Sequence, residues 1–332
     1  LGGCVFSVCA RLRSIKGGKN VRQIGDGCFS GCTALTDFGE LEKNVTHVGS
    51  WAFQNCGWFH DQPNGVVYFG KAAYAYKGSM AEGTVLSLKD GTVSVTYEFL
   101  AGQTELNPTF DQPNLAGLIL PQSCKYVDDY AFAGAKNMKF IDLGGVQYIG
   151  REAFNNSACE SIVLPDSVES IGTSAFNRCS SLQEVVFGKG LASIGSMCFN
   201  YCHKLERFVV DEANPNFKGV DGVLYNKNVD TLVLYPQGRP DASFTMPETV
   251  KHIGPYGIYE PQLLQAVTVS PILETIDEFG MAGIALTGVV KLPATITSIH
   301  FKAFQYDDGV TAFELPESCA AYATVDGVLY DK

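Results

Sequence analysis

Cysteine is the residue type here with the most reactive potential. Eleven occur, and Cys28/Cys32 and Cys198/Cys202 have a C-x3-C spacing that zinc could use. No histidine pair stands near either to complete a four-ligand set. The five histidines are scattered, and His47 and His252 each directly precede an Ile/Val-Gly pair, which makes them equivalent surface positions rather than halves of a metal site. The acidic pairs Asp128-Asp129 and Asp307-Asp308 fall at turns and read as solvated charge, with calcium the alternative. Motifs that would carry hydrolysis or phosphate chemistry, such as G-x-S-x-G, H-E-x-x-H and the P-loop, do not occur. The expectation is a non-catalytic chain with no metal and no cofactor.

The cysteine spacing has a structural origin. Cys9, Cys32, Cys56, Cys179 and Cys202 all stand eight residues after a recurring apolar start. The fullest copy, Ile171 to Phe187, reads I-G-T-S-A-F-N-R-C-S-S-L-Q-E-V-V-F, and the pattern begins again at Ile194-Gly195. Starts can be placed at Leu1, Ile24, Val48, Val95, Val127, Ile149, Ile171, Ile194, Ile253, Ile276 and Ile299, with most steps 22 to 24 residues. A period in the twenties with Leu, Ile, Phe and Cys at set offsets predicts a leucine-rich-repeat solenoid. It would span 1–332 as a single array of about eleven repeats of ~23 residues. The segment L-x-x-V-x-L should be a short parallel strand, and turns or short helical pieces should lie opposite. The Gly after each start is expected to form a tight turn, and the column cysteines to be buried small hydrophobes rather than disulfides.

Breaks in the period are the informative departures. The step from Val48 to Val95 contains an extra stretch near 57–91, with turn signals at Asn64-Gly65 and Asp90-Gly91, which predicts a β-rich insertion. A smaller excess lies around Asn107 to Asn114, and a further insertion near 211–241 reads as a hairpin. Its opening, G-V-D-G-V-L-Y-N-K at Gly219 to Lys227, returns as T-V-D-G-V-L-Y-D-K at Thr324 to Lys332, so a partial hairpin is expected over 322–332. The chain starts inside a repeat and stops at that second turn, as a piece of a longer protein would. Trp58, Phe59, Tyr68, Phe69, Tyr74 and Tyr76 crowd the first insertion, and of these Trp58, Phe59, Tyr68, Tyr74 and Tyr76 are the candidate partner-binding residues, since Tyr and Trp are enriched at interface hot spots. The alternative is that the rings cover the insertion's own small core or seal it against the solenoid flank. The concave sheet face is the other expected surface.

The units V-E-S-I-G-T-S-A-F-N-R-C-S-S-L-Q-E-V-V-F and V-D-D-Y-A-F-A-G-A-K-N-M-K-F-I-D-L, with the D-G-V-L-Y hairpins, resemble the BspA-like leucine-rich-repeat proteins, also described as the Treponema pallidum-type repeat. The likeness covers nearly the whole chain. It departs at Ile149, whose repeat lacks one residue, and at Ile253 and Ile299, where Pro261 and Asp307 replace the column cysteine. The resemblance implies a secreted or cell-surface adhesion module of a host-associated bacterium that binds a host or cell-surface protein or glycan, and it assigns no particular residue. A passive spacer or stalk within a larger surface protein is the alternative. Charge is consistent with either, because 24 basic against 35 acidic residues give net −11 and no basic footprint for nucleic acid. No run of about 18 apolar residues exists for membrane insertion.

Overall fold

The computed structural model describes residues 1–97, 99–101 and 114–332. The excess anticipated at Asn107–Asn114 lies, apart from Asn114, outside the described residues. Contacts group the chain into two compact units: Leu1–Cys159 with Ser167–Cys179 and Ser193–Phe199, and Glu160–Asp166 with Ser180–Ala192 and Asn200–Lys332. Each is a leucine-rich-repeat solenoid built from the same coil.

In the first unit six coils contribute a parallel ladder of short pairings, and Gly65–Phe69 adds a seventh, antiparallel strand at its edge. Ala72-Ala73, Ser94-Val95, Tyr126-Val127, Tyr148-Ile149, Ser170-Ile171 and Ser193-Ile194 pair in parallel and in register. The second residue of each pair points inward, and Val95, Val127, Ile149 and Ile171 are all buried. A second parallel sheet joins Thr84–Ser87, Leu115–Ile119 and Phe140–Asp142. The phenylalanines five residues after each start stack down the interior. Phe132, Phe154, Phe176 and Phe199 follow one another at 5.5, 5.3 and 5.5 Å between nearly parallel rings. Their repetition, rather than any one long-range contact, holds the coils in register, since each unit of a repeat array packs only on its neighbours.

The second unit repeats the plan. Ser161–Leu164, Glu184–Phe187 and Arg207–Val210 form a parallel sheet, and a ladder runs through Thr231–Leu234, His252–Ile253, Thr275–Ile276 and Ser298–Ile299. Ala73 and Leu232 therefore hold ladder positions that the sequence pattern did not register. Alanine at the first and an adjoining hairpin at the second hid the apolar start.

The glycines after each start work differently from the tight turn expected of them. Gly150, Gly172 and Gly195 have ordinary backbone angles, but a Cβ on Gly172 would lie 2.6 Å from the amide nitrogen of Arg151 on the preceding coil. They are glycine because backbones meet there. The left-handed turns fall three and seven residues after the start instead, at Ser174 and Arg178 (φ 56° and 61°) and at Glu152 and Asn156 (52° and 62°). Only in the coil from Ile24 are both such positions glycine, Gly27 and Gly31.

Among the described residues three tight antiparallel hairpins interrupt the coils, Gly65–Phe69 with Ala72–Lys77, Phe217–Val220 with Val223–Asn226, and Tyr322–Val325 with Val328–Asp331, and the second continues into a further antiparallel strand, Thr231–Leu234. Each is closed by a lysine just at its open end. Lys77 Nζ donates to the carbonyls of Phe59, His60 and Gln62, Lys227 Nζ to those of Glu212 and Asn214, and Lys332 Nζ to those of Glu317 and Cys319.

Candidate binding surfaces

The first insertion is the place to begin, and there the structure corrects the sequence reading. Trp58 and Phe59 lie on a single helical turn, Gly57–His60, and both are buried. The indole packs on Phe38, Phe53 and Phe69 at 4.7 to 6.0 Å. Tyr74 is fully buried, and its hydroxyl accepts the Phe53 amide at 3.1 Å. These three side chains, with Phe69, fill the core beneath the hairpin and cannot meet a partner. The reason is local. Ala72-Ala73-Tyr74 continues the ladder, so the aromatic residue beside it is drawn inward with the coil. Tyr68 and Tyr76 are half-buried. The Tyr68 hydroxyl accepts the Lys89 amide at 3.1 Å, and the Lys89 ammonium lies 3.9 Å from its ring centre.

The cysteine column is apolar in character. All eleven thiols are free, and nine are buried; Cys4 and Cys9, on the first coil, are exposed. Burial pushes Cys56 up to about 11 and Cys124 up to about 12, which keeps them protonated and unreactive. Among the described residues no group of three or more His, Cys, Asp or Glu side chains is placed to hold a metal ion.

Two exposed surfaces have the chemistry of recognition. The first is the outer face of the short strands. In the second unit Val163, Val186 and Val209 stand opposite one another in register, with Val163 and Val209 exposed, and the Arg207–Glu184 ion pair runs beside them. In the first unit Phe140 is exposed and lies over Gly117, where a Cβ would come within 2.2 Å of its ring.

The second surface, a cleft of about 350 Å³ in the first unit, went unnoticed in the sequence. Tyr126 and Tyr148 occupy the outward positions of adjacent ladder strands and stack at 5.2 Å. His47 meets Tyr126 at 4.5 Å because the intervening outward positions, Ala72 and Ser94, are small and buried. Trp51, Tyr97 and Tyr130 form a second aromatic row, ring against edge at 6.1 and 5.7 Å, and the Arg151 guanidinium lies over Tyr130 at 5.1 Å. Between Tyr97 and the Tyr126–Tyr148 pair the cleft is lined by Asp26, Asp128 and Asp129. Asp26 accepts the Ser50 amide at 2.8 Å and Asp129 the Arg151 amide at 2.6 Å, so both are anchored by the following coil.

Asp128 is held up to about 7, first by burial and then by the charges of Asp129 and Asp26. Asp307, which stands at the column-cysteine position, is buried and held up to about 6 by the same loss of water, although it accepts the Ile284 amide at 2.6 Å. Neither is the solvated turn charge that the sequence led us to expect. An acid whose folded pKa is raised binds its proton more tightly in the native state, so stability is greatest at low pH and is lost as pH rises through about 7. Asp128→Asn is expected to raise the unfolding free energy at pH 8 by about 1–3 kcal/mol and to change it little near pH 4. Urea unfolding at both values checks this, and equal curves at pH 8 would show that the carboxylate is well solvated.

With the geometry in place, comparison with known proteins identifies the repeat. The BspA-type leucine-rich repeat region matches in 6 copies over residues 1–87, 107–220 and 241–324. No curated protein sequence matches significantly. Among solved structures, a leucine-rich repeat protein from Eubacterium ventriosum is similar at 19% identity and a TM-score of 0.56, covering 74% of this chain and 68% of its own. The pneumococcal vaccine antigen PcpA is similar at 20% identity and a TM-score of 0.52, covering 75% of this chain and 76% of its own. At such identities the two structures speak for the fold alone. The family match extends over most of the sequence, and this chain belongs to the BspA-type leucine-rich-repeat family.

Proposed function

We propose that the chain is an extracellular or cell-surface recognition module that holds a protein or glycan partner without chemistry. The observation that carries this reading is the Tyr97–Tyr126–Tyr148 cleft, where aromatic walls and a few convergent polar groups make the kind of concave surface that binds ligands. A purely mechanical stalk has no need of outward aromatic rows beside a cavity. The exposed Val163–Val209 column offers a second, flatter contact area, of the sort a solenoid uses along its sheet face. Surface placement is supported by family membership.

The test is a screen of the purified chain against extracellular-matrix proteins and a glycan array, beside a Tyr126→Ala/Tyr148→Ala variant and a Val209→Asp variant. Binding that falls about tenfold or more in the tyrosine variant, with the fold intact by circular dichroism, is the expected result. Loss only in Val209→Asp would move the site to the sheet face. No binding by any form would favour the spacer.

A further inference from the structure

We infer that the cleft between Tyr97 and the Tyr126–Tyr148 pair is a receptor for a long cationic side chain, lysine or arginine, presented by a partner protein. This rests on the recognition reading above and gives its ligand a chemical class.

Three features of the cleft point the same way. Its polar lining is one-signed: Asp26, Asp128 and Asp129 face it, and no lysine or arginine is among the lining residues. Two of those carboxylates are fixed, each with one oxygen on a backbone amide of the next coil. They are therefore aimed before any ligand arrives, which lowers the ordering cost of binding. Asp128 is different. It is half-buried in the same cleft, feels the charges of both other carboxylates, and accepts no hydrogen bond from any described residue. A half-buried carboxyl among carboxylates is short of a positive partner, and an entering ammonium or guanidinium would supply one.

The walls fit the rest of such a side chain. Lysine and arginine lay their methylene stems along apolar surface while the charged head reaches a polar site. The stacked pair Tyr126–Tyr148 and the ring of Tyr97 supply that surface, and 350 Å³ is room for one long side chain, not for a folded segment. The whole chain carries net −11, so a basic partner is also drawn in from a distance.

Affinity should depend on pH in a stated direction. The cation favours the ionised form of Asp128, so binding strengthens as pH rises through about 7. The other titratable or charged groups facing Asp128 among the described residues are Asp26, Asp129, Tyr97, Tyr126, Tyr148 and the buried Cys124 thiol, with His47 and Arg151 beyond the tyrosines. His47 is pushed below its ordinary value by burial, so it is neutral over most of the same range.

The experiment titrates the full chain with a neutral-capped peptide of alternating glycine and lysine, with the same peptide acetylated on every lysine, and with a panel of neutral oligosaccharides. Asp128→Asn and Tyr148→Ala are compared with Glu248→Gln, which removes the same charge from an exposed site in the other unit. We expect the lysine peptide to bind about tenfold or more weakly to Asp128→Asn and to Tyr148→Ala, and unchanged to Glu248→Gln. Its affinity should rise between about pH 6 and 8 and fall with added salt. Because Asp128→Asn should stabilise the fold, its loss of binding is not unfolding, and thermal melts of all three variants verify that.

Equal losses in Asp128→Asn and Glu248→Gln would mean diffuse charge only and would overturn the inference. So would equal binding of the acetylated peptide. An oligosaccharide that binds in a Tyr148-dependent, Asp128-independent way would also overturn it, while leaving the recognition reading standing. Binding of neither peptide nor glycan would remove both.

Discussion

Replacing Phe154 by alanine is expected to cost about 3–5 kcal/mol of stability, the largest effect of any single change considered. Phe154 is fully buried and stacked on both sides, 5.5 Å from Phe132 and 5.3 Å from Phe176. Truncation removes contact with two rings at once. It also leaves a gap that the coils cannot close, because the ladder hydrogen bonds at Ile149 and Ile171 hold them apart. Urea unfolding followed by circular dichroism measures this. A loss below about 1 kcal/mol would mean that the coils do collapse onto the space.

Gly172→Ala is expected to destabilise by about 1–3 kcal/mol although it adds a single methyl group and no backbone strain. The new Cβ would stand 2.6 Å from the amide nitrogen of Arg151 and from the carbonyl carbon of Gly150, and backbone cannot swing aside as a side chain can. Gly195→Ala, 2.3 Å from the Thr173 amide, should behave alike. The ladder tolerates larger residues at the equivalent Thr96 and Asp128, where the neighbouring coils accommodate them. An unfolding midpoint unchanged in Gly172→Ala would show that every coil can spread in that way.

The two predictions draw on what was and was not legible in the sequence. Phe154 could be read directly, because a residue buried in every coil must recur at a fixed offset, and recurrence is visible without coordinates. The same holds for Ile171 and Cys179. What the glycine at 172 does was misread, since composition cannot tell a residue chosen for its backbone angle from one chosen for lack of a side chain. Ala73 was invisible as a repeat start because its small side chain breaks the apolar pattern without breaking the coil. The aromatic count near Trp58 could not separate a binding surface from the insertion's own core, as local density says nothing of which way a ring faces. The cleft was missed for the opposite reason. Its residues, Asp26, Tyr97, Asp128 and Tyr148, are spread over more than five coils' worth of sequence and meet only when the coils stack. A column-by-column reading of the position just before each start would have found His47, Tyr126 and Tyr148 together.

The lysine that closes each hairpin bears on how such a chain came to be. In all three, its ammonium reaches a carbonyl fifteen residues earlier, at Gln62, Glu212 and Glu317. The second and third hairpins also share V-D-G-V-L-Y and read as duplicates of one cassette, whereas the first has the clamp without that sequence. A hairpin that carries its own clasp brings its closure with it. It can be copied into a new coil as a unit, with the repeats on either side left unaltered, so the array can diversify by recombination where a globular domain would need compensating change throughout its core.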